Sequence, residues 1–130
     1  LLGLLGLRTH LRAYDWRDDL TLNVANWEQP NDQRSIALES LGGLYMKAAK
    51  RALESGDQTR ANTFFVRARV NIDMLLKKEP QNVDARCLLA IWHLSQNDQE
   101  SARREAGMAL VLAPKNAGAQ RLGKFLKIIP

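Results

Sequence analysis

The sequence predicts an all-α chain: an array of antiparallel helical hairpins with about six to seven helices, one hairpin lengthened, and a C-terminal capping helix. Three observations carry that expectation. Between Val83 and Pro114, two apolar runs flank a polar break at Ser95-Gln96-Asn97-Asp98, and apolar residues at three- and four-residue steps gather on one side of a helix. Ala85, Leu89 and Trp92 keep to one side of the first run, and Ala102, Ala106 and Ala109-Leu110 to one side of the second. Small residues at such positions let two helices approach closely. Finally, Pro80 and Pro114 stand 34 residues apart, and Glu79-Pro80-Gln81-Asn82 is echoed by Ala113-Pro114-Lys115-Asn116.

A 34-residue period enclosing a helix–turn–helix pattern resembles the tetratricopeptide (TPR) repeat. Ala85, Leu89 and Ala90 match its first helix, and Asn97-Asp98 its turn. Ala102 matches the alanine of its second helix, and Ala109, Leu110, Leu112 and Pro114 match its end. His93 departs from the pattern where an aromatic is usual, and Ala106 where Tyr or Phe is usual. The resemblance implies a binding module without naming its partner.

Residues 1–30 are expected to form a degenerate first repeat closed by Pro30, with Leu5-Gly6 as the Leu-Gly pair of its first helix. The run Leu1-Leu2-Gly3-Leu4-Leu5-Gly6-Leu7 is too short for a span, which needs roughly 20 apolar residues. It reads either as a buried helix or as the last turns of a membrane helix. A chain that starts at Leu1 points to an excerpt from a longer protein. Leu20, Val24 and Trp27 lie near one face of a second helix that begins around Asp15-Trp16-Arg17-Asp18-Asp19. The spacing Thr9, Arg12, Trp16, Leu22 resembles the membrane-to-TPR junction of certain polytopic membrane proteins that handle glycans or lipid-linked sugars. On that reading the chain is the soluble C-terminal domain of such an enzyme, a glycosyltransferase or an O-antigen ligase or polymerase, with catalysis elsewhere. Taken singly, Trp16 and Trp27 read as packing residues.

Residues 31–80 read as an extended hairpin. Its first helix runs from about Gln33 to Glu54, where Leu41, Gly42 and Tyr45 match the Leu, Gly and aromatic of a TPR first helix. Ala61, Phe65 and Ala68 match the second helix. The Gly56-Asp57 turn and Pro80 each come seven residues late, so both helices are expected to be longer by about two turns. Residues 81–114 form the regular repeat. Residues 115–130 form a capping helix, with Asn116 as its N-cap and Ala119, Leu122, Leu126 and Ile129 covering the end of the array.

Composition excludes several classes. At 130 residues, with 45% apolar and 25% charged residues, the chain is an ordinary globular domain. The single cysteine, Cys87, rules out an internal disulfide framework and reads as a small buried side chain. The net charge of +5 favours acidic partners but is too interspersed with acids to indicate nucleic acid. His10 and His93 belong to no nucleophile-and-acid arrangement, and neither metal-ligand spacings nor a phosphate-binding glycine loop occur. Neither catalysis nor a cofactor is expected.

The expected site is a groove. In TPR arrays the first helices line a concave face, which register assigns to Lys47, Lys50, Cys87, Leu88, Ile91, Leu94, Arg121 and Phe125. An apolar strip with basic edges suits an extended peptide or an amphipathic helix carrying acids. The competing expectation is that this strip is covered by the chain's own ends or by a second copy, which would make the domain a homodimerisation unit.

Overall fold

The computed structural model describes residues 33–130. The expected first repeat over 1–30, with Trp16, Trp27 and the stretch resembling a membrane junction, lies outside the described residues. Five helices and no strand occur among them: α1 (Gln33–Glu54), α2 (Gln58–Lys78), α3 (Val83–Ser95), α4 (Gln99–Leu112) and α5 (Ala117–Phe125). None is long and apolar enough to cross a membrane.

Local chemistry starts four of these helices in the same way. Asp57, Asn82, Asp98 and Asn116 are N-caps, whose side-chain oxygens accept from the backbone N–H of Arg60, Ala85, Ser101 and Ala119 at 2.9–3.0 Å. Such a bond satisfies an amide that the helix itself leaves without a partner. Both hairpin turns place a left-handed residue just before the cap: Gly56 at φ 81° and Asn97 at φ 62°. Glycine and asparagine tolerate that region best.

The helices pack as sequential antiparallel pairs, α1 with α2 and α3 with α4. Each later odd helix rests on both members of the pair before it: α3 on α1 and α2, α5 on α3 and α4. The odd helices therefore adjoin one another in one layer, and α2 and α4 form a second. Between the layers lie Met46, Ala49, Ala52, Ala61, Phe65, Ala68, Ile72, Leu89, Ala102, Ala106 and Ala109, all at 5% exposure or less. Gly42 lets α1 meet α2 and α3, since Leu88 Cδ2 and Ile72 Cγ1 lie 3.2 and 3.3 Å from where a Cβ would stand.

The first pair is the longer one, with helices of 22 and 21 residues against 13 and 14. Its extra turns sit at the Gly56 turn, because α2 and α4 both end two residues before a proline. Counting back from Pro80 and Pro114 pairs Ala68, Ile72 and Leu75 with Ala102, Ala106 and Ala109. The expected match of Ala61, Phe65 and Ala68 thus falls one heptad early. Seven residues return a helix to nearly the same face, so both triplets are buried and the sequence pattern fits either.

Candidate functional site

The residues expected to line a groove divide into two groups. Cys87, Leu88, Ile91 and Leu94 are buried in the core at 1, 4, 0 and 0% exposure. Leu88 packs against Gly42 and Ile72, so it joins α3 to the first pair rather than lining a groove. Lys47, Lys50, Arg121 and Phe125 are half-buried on α1 and α5, and Phe125 packs against the core. The apolar part of the expected groove is therefore buried, while its basic and aromatic residues are partly exposed.

Among the other matched positions, Gly42, Ala85, Leu89 and Ala90 are buried, Tyr45 is half-buried, and Leu41 is 40% exposed. Leu44 on the same helix is likewise exposed, at 59%. Tyr45 instead stacks on Phe64 with ring centroids 6.3 Å apart. Arg67 lies over Tyr45 at 5.9 Å and Arg60 over Phe64 at 5.7 Å. The Tyr45–Phe64 stack and the Arg67–Tyr45 cation–π contact join α1 to α2.

Side-chain bonds orient α3. Trp92 Nε1 donates to the Phe65 carbonyl of α2 at 2.8 Å, and the Arg69 guanidinium covers the indole at 4.7 Å. Arg86 donates to Glu105 of α4 at 2.8 Å and to the Pro80 carbonyl at 3.0 and 3.2 Å. His93 packs edge-on to Trp92 at 5.3 Å. Burial, and then the nearby Arg69, lower its pKa, with Asp98 at 3.9 Å opposing the shift. It is a half-buried helix residue packed on Trp92.

A polar junction that the sequence reading missed joins α1, α2 and α3. Glu39 is 3% exposed. Asn82 Nδ2 donates to Glu39 Oε1 at 2.6 Å and to Glu79 Oε1 at 3.1 Å, while the Ser35 hydroxyl donates to Glu79. Glu39 Oε2 has no hydrogen-bond partner. Desolvation raises the Glu39 pKa, and the Glu79 charge adds to the rise against the Asn82 bond. Glu39 and Asn82 are 43 residues apart, so no local spacing signals the contact.

No group of His, Cys, Asp and Glu among the described residues could hold a metal ion, and Cys87 is buried and forms no disulfide. Comparison with protein-family models, curated proteins and solved structures finds no match.

Proposed function

We propose that this chain is a TPR-like, non-catalytic interaction domain that binds a peptide or helix along the α1, α3, α5 layer. The observation that carries this reading is the stacking: α3 rests on α1 and α2 as α5 rests on α3 and α4, with Ala85 and Leu88 repeated 34 residues later by the buried Ala119 and Leu122. Solenoids of this kind present an extended face built from many copies of one element. The partner is an apolar segment carrying acids, because Lys47, Lys50 and Arg121 are partly exposed on α1 and α5 of that layer. Such rim charges govern orientation and association more than total affinity.

The test selects peptides rich in Leu, Asp and Glu from a displayed library, using the full chain as bait. Selected peptides are then titrated by fluorescence anisotropy against wild type and against Lys47→Glu with Lys50→Glu. The double variant is expected to keep its helical circular dichroism and to bind roughly three- to tenfold more weakly, as two partly exposed charges imply. Equal affinity removes the two lysines from the site, and a library that yields no binder sinks the reading.

A further inference from the structure

The outer side of α2 and α4 carries aliphatic side chains that the core does not use. Val66, Val70 and Met74 follow one another at four-residue steps on α2 and are 62, 51 and 43% exposed. They stand roughly 140–180° round the helix from the middle of the buried row formed by Ala61, Phe65, Ala68, Ile72 and Leu75. On α4, Val111 stands opposite the buried Ala102, Ala106 and Ala109 at 82% exposure, and Met108 beside it is 44% exposed. Apolar side chains gathered in water on one face mark an interaction surface. The 34-residue period sets these positions in register: it takes Met74 to Met108, Val70 to Arg104 and Lys77 to Val111. Each outward position thus holds an aliphatic on both helices, or an aliphatic on one and a cation on the other.

We propose that this outer face of α2 and α4 docks on the surface of an anionic lipid bilayer, with its aliphatic side chains in the interface and its cations among the headgroups. The face lies on the layer opposite α1, α3 and α5, so it is independent of the peptide reading.

Charge complementarity selects this occupant. α2 and α4 together hold seven Lys and Arg against three Asp and Glu, and Arg69 and Arg86 already engage two of those acids, Asp73 and Glu105. Lys77, Arg103 and Arg104 are exposed, as is Lys115 just beyond α4. From Ala106 to Pro130 the chain has no Asp or Glu. A cation close to an anionic bilayer strengthens binding roughly fivefold. Aliphatic side chains beside such cations add apolar burial at the headgroup boundary. The other occupants fit less well. A second copy presenting the same face would set cations against cations. A single-stranded nucleic acid stacks on aromatic side chains, and among the described residues no exposed large apolar side chain is aromatic. An acidic helix is gripped in a groove, whereas side chains on the outward crest of a helix enter a fluid interface that shapes itself around them. The attachment is peripheral, because no described helix is long and apolar enough to cross a membrane.

Vesicle flotation with the full chain tests this. Vesicles of phosphatidylcholine alone are compared with vesicles of phosphatidylcholine and phosphatidylglycerol. Wild type is expected to bind the anionic vesicles about tenfold better at about 0.1 M salt and to be released at about 0.5 M. Val70→Asp with Val111→Asp, and separately Lys77→Glu with Arg104→Glu, are each expected to lower that binding about tenfold while circular dichroism stays helical. Lys47→Glu with Lys50→Glu, on α1, makes the same change in net charge and is expected to keep most of the binding. Should the aspartate pair lose helicity, Val70→Ser with Val111→Ser removes the same aliphatic contact and carries the same readings. Wild type that ignores anionic vesicles overturns the proposal, as does equal binding to phosphatidylcholine alone. Full binding by the Val70 and Val111 variant assigns attachment to another part of the chain and overturns it. An equal loss from the α1 lysine pair leaves only net charge as the cause and overturns it too. Capture of polyglutamate without vesicle binding, weakened by Lys77→Glu with Arg104→Glu, assigns the face to an acidic protein instead.

Discussion

Asn82 serves three roles with one amide. Its oxygen caps α3 at Ala85, and its nitrogen holds both Glu39 and Glu79. A carboxylate as buried as Glu39 is costly to ionise, because the interior solvates charge poorly, and its raised pKa follows from that first. The consequence is a pH dependence of known sign. Above the ordinary value of 4.5 the unfolded chain releases this proton while the folded chain keeps it, so stability falls as pH rises until it passes the folded pKa. Glu39→Gln keeps an oxygen for Asn82 but has no proton to lose. Chemical denaturation between pH 4 and 8 is expected to show a shallower decline for the variant than for wild type. Parallel profiles would mean that Glu39 does not titrate in this range. At the same scale, Gly42 is a packing residue, since the buried Leu88 and Ile72 fill the space a methyl would need.

At the scale of the element, α4 shows how one helix divides its positions. Ala102, Ala106 and Ala109 are fully buried against α3. A methyl on Gly107 would have nothing within 4 Å, and Val111 on the solvent side is 82% exposed. Ala102→Leu or Ala109→Leu is expected to destabilise by about 1–3 kcal/mol, because added methylenes force the helices apart. Gly107→Ala is expected to stabilise by about 0.5–1 kcal/mol, through helix propensity alone. Thermal and urea unfolding measure both. Unchanged stability for the two leucine variants would count against the α3–α4 interface as described. The longer first pair follows a related rule. Adding turns to both helices at their shared connection keeps α2 in step with α4 at the proline end, and Tyr45 stacks on Phe64 where the added length begins.

For the whole molecule, charge and layering act together. Basic residues predominate over residues 33–130, and the ion pairs Arg69–Asp73 and Arg86–Glu105 leave that excess unchanged, because each takes up one charge of either sign. Long-range attraction for an acidic segment is therefore expected, and mobile ions screen it over a Debye length of about 10 Å at 0.1 M salt. Peptide association measured by stopped flow is expected to slow severalfold between about 0.05 and 0.5 M salt, with dissociation changing less. A salt-independent association rate would leave apolar contact as the only source of recognition.

Helix positions were legible from the chain alone wherever short-range chemistry sets them. Apolar steps of three and four residues, Asn or Asp at the caps, and Pro80 and Pro114 beyond the ends determine α3, α4 and the start of α5, because each acts within a turn or two of helix. The 34-residue echo also implies hairpins that stack. Tertiary structure decided what those signals leave open. It placed the extra turns at the Gly56 end, since a seven-residue shift preserves the helix face and the pattern is blind to it. It brought Glu39 to Asn82 across 43 residues, through packing that no local spacing encodes. It also buried Cys87, Ile91 and Leu94, which as a helical stripe suit an open groove as well as a covered one. Periodicity shows which side chains share a face; only the packing of other elements determines whether that face meets water.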